Sequence, residues 1–345
     1  MPSALESVAS AFTPGLVRQL AGSLGLNTGQ IQKGLKLAGP LLVMALARKA
    51  QAPRGSATVA NLLTKLPAYA GDDPAGMVDR LRLGNLGNRL LGRLLGNQNR
   101  AVITSLLRSS AIPGLDALLN MATPAALAQI SKTMNHRKTD ATALAKKLQQ
   151  EAATLAKSDN DGARLVACAF AEADAQRELK SSIGRRDWAA VSSAPLLAVG
   201  HVAAARCPMF FSNPAGAPRE RALLTDLFDP AGIPGDSTLV DAAVNSIQDL
   251  LFETLGDNLP WDLGDVDLTD PARVKAKVLD RLSMARHALA PLPAHEQADY
   301  KKLIVDAAIK MAEAEKEGGF LGLGGRKISD SEQAAIDDIK IALYG

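Results

Sequence analysis

The sequence predicts an all-α protein of two helical-bundle domains, each carrying an internal duplication, and three observations support that expectation. Only 3% of residues are aromatic while Ala and Leu dominate; helices favour Ala and Leu, whereas strands want β-branched and aromatic side chains. Hydrophobic residues make up 47% and charged residues 22%, an ordinary globular balance that argues against wholesale disorder and a fibrous chain. At 345 residues, a prior of roughly 150 per domain gives about two domains.

The elements follow from local signals. Ser3 and Glu6 match a capping box, so the first helix is expected from about Ala4, and Pro14 interrupts it. Leu16, Leu20 and Leu24 stand at helical spacing, and Asn27-Thr28 supplies a cap for an apolar helix over Ile31–Ala50. Gly39-Pro40 is expected to kink or split that helix. Gln51–Ser56 reads as a loop, and Asp73-Pro74 as the start of a further helix. From Leu83 the chain places Gly84, Gly87, Gly92 and Gly96 among leucines and arginines. Glycine in a helix costs up to about 1 kcal/mol, so the cluster implies close packing or deliberate flexibility.

Leu35–Pro40 aligns with Leu119–Pro124, and each copy reads as apolar helix, proline, helix. With the Leu-Gly segment between the copies, residues 10 to 150 resemble the YidB-like family of bacterial proteins. That resemblance implies a compact helical array and brings no catalytic residues.

Asp140 opens a helix striped by Leu144, Leu148 and Leu155, and Lys157–Gly162 is the best linker, giving domains over 1–157 and 162–345. Beyond it, core stripes are expected at Val166, Ala169, Phe170 and Ala173, at Val240, Val244 and Ile247, at Val274, Val278 and Leu282, and at Tyr300, Ile304 and Met311. Asp270-Pro271 opens a helix. Near the end, an Ala/Glu helix is followed by the glycine-rich stretch 317–325 and by Ser329 and Glu332, a second capping box. This order of helix, glycine-rich loop, Ser-x-x-Glu and helix resembles TerB-like domains, the helical modules related to tellurite-resistance proteins. A looser copy runs from Ala194 through Glu220. The resemblance implies divalent-metal binding by Glu313, Glu317 and Glu332, although the first copy has Ala203-Ala204-Ala205-Arg206 where acids would be expected.

Charge divides the chain. Residues 1–150 hold 18 Lys and Arg against 6 Asp and Glu, leaving 21 against 30 for the rest, so a net of +3 conceals halves of +12 and −9. A basic half can hold phosphates or an anionic surface, or dock on an acidic protein, including the acidic half of this chain or a copy. Arg82, Arg89, Arg93 and Arg100 share one face if the Leu-Gly region stays helical, and with no aromatic residues there they would contact a polyanion's backbone without reading its bases.

Catalytic signals are sparse. The four histidines, His136, His201, His287 and His295, are scattered and none forms an i, i+4 metal pair. Cys168 and Cys207 form no CxxC and read as small buried hydrophobes in a reducing compartment. A pair built from Cys207 and His201 lacks a third, orienting group. Gly322-Leu323-Gly324 follows a helix and lacks the third glycine of a dinucleotide fingerprint; Phe320, Leu321 and Leu323 are expected to plug the core, the alternative being an exposed contact patch for a partner. The longest apolar run, Leu37–Ala47, falls short of the roughly 20 residues of a membrane helix, and the first residues lack a secretory pattern, which predicts a cytoplasmic protein without a transmembrane segment. The expected function is therefore a non-enzymatic interaction or scaffold protein without an organic cofactor, with a protein partner or a second copy. The alternatives are a metal-binding stress protein and a nucleic-acid or polyanion binder.

Overall fold

The computed structural model describes residues 4–66, 86–134, 140–213, 218–233, 237–253, 261, 263–314 and 328–345. Among them the regular structure is α-helix with short 3-10 segments and no strand, as the composition predicts. Ser3, Asp73-Pro74 and the glycine-rich stretch 317–325 lie outside the described residues. Two compact units form, Met1–Ala173 and Asp174–Gly345.

The first unit contains α1 (Ala4–Ala11), α2 (Pro14–Leu24), α3 (Thr28–Gln51), α4 (Gly55–Lys65), α5 (Leu86–Leu95), α6 (Asn99–Ser110), α7 (Leu115–Thr133), α8 (Ala141–Ala156) and the first half of α9 (Asp161–Ile183). Pro14 sits in the first turn of α2, capped by the Thr13 hydroxyl. Asn27 and Gln30 close a reciprocal capping box on α3, with bonds of 2.9 and 3.0 Å. From Leu37 to Ala47 every residue of α3 is buried, which marks the central helix of a bundle; α1, α2, α4, α5, α7 and α8 surround it. Asp140 caps α8 through the amides of Thr142 and Ala143. The stretch 157–162 is the break between α8 and α9, while the division between units falls inside α9. The stripe Ala163, Val166, Ala169, Phe170 and Ala173 belongs to the first core. That stripe leaves Cys168 on the outer face, so the thiol is exposed, contrary to its reading as a buried hydrophobe.

The second unit contains the rest of α9 with α10 (Arg185–Arg206), α11 (Pro218–Leu227), α12 (Thr238–Glu253), α13 (Pro271–Leu289), α14 (Ala294–Glu313) and α15 (Asp330–Tyr344). Here α10 is central, buried from Ala190 to Ala203 and packed by α11 through α15. It is long and apolar enough to cross a membrane by length and composition, but 78% of its apolar window is buried inside the protein, the mark of a core helix. Asp270 caps α13 through the amides of Ala272 and Arg273, and Ser329 with Glu332 forms the capping box of α15. The start of α12 is satisfied from another helix: the Glu296 carboxylate of α14 accepts from the Ser237 hydroxyl and from the amides of Thr238 and Leu239.

Among the described residues three prolines lie inside helices, Pro40 in α3, Pro124 in α7 and Pro195 in α10, and none of these helices is split. A helical proline has no N–H for the carbonyl four residues earlier, which releases the carbonyls of Lys36, Asn120 and Val191. Another helix comes close to each released carbonyl. Glycines approach the first two so closely that a Cβ on Gly162 would stand 2.8 Å from the Lys36 oxygen and one on Gly87 1.6 Å from the Asn120 oxygen. The third accepts a 2.5 Å hydrogen bond from the buried Tyr300 hydroxyl. The helix expected to kink or split at Gly39-Pro40 runs unsplit over Thr28–Gln51, at the local cost of one helical hydrogen bond.

Candidate functional site

Of the arginines expected to contact a polyanion, the three that are described, Arg89, Arg93 and Arg100, fall on two helices. Leu90, Leu91, Leu94 and Leu95 turn α5 toward the core, and Arg89 and Arg93 stand one turn apart on its exposed face. Gly96, with φ of +61°, then ends the helix, and a 3-10 turn over Gly96–Gln98 leads into α6. Arg100 and Arg108 lie on α6, half-buried, and Arg82 lies outside the described residues. The face expected of one continuous helix is therefore present at Arg89 and Arg93 and interrupted before Arg100.

The acidic candidates do not gather. Glu313 is exposed at the end of α14, and Glu317 lies outside the described residues. Glu332 is buried, and its carboxylate accepts from the Ser329 amide at 2.8 Å and the Ser329 hydroxyl at 2.7 Å, with Arg206 at 3.9 Å. Its position is explained by the cap. Among the described residues no group of three or more His, Cys, Asp and Glu side chains is placed to hold a metal ion.

A cavity that the sequence does not reveal opens in the second unit between α10, α13 and α15. Its volume is about 280 Å³, and Ala204, Ala205, Phe211, Val274, Ala334 and Ala335 form most of its walls. Small residues come from the alanine-rich end of α10 and the Ala334-Ala335 pair of α15, so three helices meet without filling the space between them. Gly200 makes the neighbouring wall: a Cβ there would press on the rings of Phe211 and Trp261, which pack at 4.7 Å between centroids.

The polar edge of the cavity holds His201, Lys275 and Asp338, one from each helix. Lys275 Nζ lies 2.5 Å from Asp338 Oδ2, and His201 Nε2 lies 3.6 Å from that same oxygen. The second distance is too long for a hydrogen bond, so Nε2 is buried without one. Burial holds the His201 pKa below its usual value; the Asp338 carboxylate opposes this and Lys275 adds to it. The imidazole is therefore neutral near pH 7, with one ring nitrogen a donor and the other an acceptor. Cys207, which the sequence suggested as a partner for His201, caps the end of α10 and packs against the second core.

A second cavity of about 260 Å³ lies between α12 and α14, edged by Asp299, Lys302, Asp306 and Lys310. Lys302 and Asp306 pair with each other along α14, and the nearby helix start is already occupied by Glu296. Ser331 also lines the first cavity, and its hydroxyl bonds that of Ser329 at 3.1 Å. No curated protein and no solved structure matches the chain. Residues 6–133, which lie within the first unit, match the model of a family described as a bacterial protein of unknown function, DUF937.

Proposed function

We propose that this chain is a non-enzymatic interaction protein whose first unit engages acidic partners through a basic face. The observation that carries the reading is the pair Arg89 and Arg93, exposed one turn apart on α5, in a half with 18 basic against 6 acidic residues. Such a surface acts through long-range attraction and contact with charge rather than through base recognition, since residues 86–110 contain no aromatic side chain. The first unit is read as YidB-like, which the match over residues 6–133 supports. The second is read as TerB-like on the strength of the capped α15. The exposed, free Cys168 supports a reducing, cytoplasmic setting.

The test is titration of the full chain with polyglutamate and with duplex DNA between 50 and 200 mM salt, alongside an Arg89→Glu/Arg93→Glu variant. The expected outcome is binding to both polyanions that weakens steeply with salt, and a variant whose DNA salt slope falls by about 2, roughly 1 per lost contact. An absence of binding at low salt, or a variant indistinguishable from the parent, sinks the proposal.

A further inference from the structure

The His201 cavity is unusual in pairing apolar walls with a buried polar atom that has no hydrogen bond. The His201 side chain is 9% exposed and lines the space between α10, α13 and α15, and its Nε2, 3.6 Å from Asp338 Oδ2, has no hydrogen bond. A ligand hydroxyl that reached Nε2 would give it a hydrogen bond that no protein group supplies. Three features specify such a ligand. The volume, about 280 Å³, exceeds the roughly 150 Å³ that suffices to take up benzene. The walls of Ala204, Ala205, Phe211 and Val274 favour an apolar body. Lys275 and Asp338 hold each other at 2.5 Å, so an ionic ligand would have to break an existing pair, whereas an uncharged one leaves it intact.

We propose that this cavity binds a small uncharged molecule with an apolar body and a single hydroxyl head, the hydroxyl meeting His201 Nε2. A hydroxyl suits either tautomer, because it can accept from an Nε2–H or donate to a bare Nε2. The site lies in the second unit and uses neither Arg89 nor Arg93, so it stands or falls independently of the polyanion reading.

The experiment uses the full ¹⁵N-labelled chain, with benzyl alcohol and toluene as probes. Imidazole ¹⁵N spectra follow the four histidines, His201 being assigned by its loss in a His201→Leu variant. The expected result is a saturable shift of the His201 Nε2 resonance with benzyl alcohol, and an affinity for the alcohol about five- to tenfold above that for toluene, the scale of one hydrogen bond. His201→Leu should erase that preference while leaving toluene binding in place. Ala334→Phe, a substitution at an exposed wall position that fills the space, should abolish binding of both probes in a protein that still unfolds cooperatively. Equal affinity for the two probes, an unmoved His201 resonance under both, or undiminished binding to the Ala334→Phe protein each overturns the assignment; the unmoved resonance would mean that the cavity holds water only.

Discussion

At the scale of single residues, Tyr300 shows how one hydroxyl can serve a helix it does not belong to. Its phenol is wholly buried and donates a hydrogen bond to the Val191 carbonyl that Pro195 leaves without an amide. Tyr300→Phe keeps the ring and strands that carbonyl, so a loss of about 1–3 kcal/mol in equilibrium unfolding is expected. The same substitution in a Pro195→Ala background should cost less, since alanine returns the missing N–H and the carbonyl bonds within α10. A double-mutant cycle measures the coupling directly, and additive effects would show that the hydroxyl acts otherwise.

Within the elements, α5 separates two meanings of glycine. A Cβ at Gly87 would collide with the Asn120 backbone, while one at Gly92 meets nothing within 4 Å. Gly87→Ala should therefore destabilise by roughly 1–3 kcal/mol, and Gly92→Ala should stabilise by about 0.5–1 kcal/mol through helix propensity. Thermal unfolding of the two variants checks the contrast, and equal shifts would remove the packing explanation. The sequence could signal the glycine cluster but could not say which member touches a neighbour. Caps were legible at Asn27, Asp140, Asp270 and Ser329 because a cap is written within four residues of chain. Arg89 and Arg93 were legible for the same reason, and Arg100 was not, because the turn at Gly96 intervenes. Cys168 was misread because its apolar neighbours hide that it lies between stripe positions. The His201, Lys275 and Asp338 grouping was beyond sequence reasoning altogether, since three separate helices supply it and only their packing brings the side chains together.

For the molecule as a whole, two buried groups bound the pH range of stability from opposite sides. His201 binds its proton less readily in the fold than in the unfolded chain, so stability should fall as pH drops below about 6.5, where the unfolded chain takes up more protons. Tyr300 is pushed the other way by burial and releases its proton less readily than the unfolded phenol, so stability should fall as pH rises past about 10. Lys180, its pKa lowered chiefly by burial and partly restored by Asp249, acts with the opposite sign in that alkaline range. The informative quantity is thus the difference between parent and variant: denaturant midpoints across pH should lose acid sensitivity in His201→Leu and alkaline sensitivity in Tyr300→Phe. Unchanged slopes in either variant would refute the attribution to that residue. The released carbonyls also constrain how this chain can change over generations. Pro195 is tied to Tyr300, whose hydroxyl meets the carbonyl that the proline releases, whereas Gly162 and Gly87 are held by the closeness of the Lys36 and Asn120 carbonyls themselves. Where descent replaces Pro195, the Tyr300 hydroxyl is freed to vary; where that proline persists the hydroxyl is held, and the two should be inherited together, while the two glycines should persist with or without their prolines.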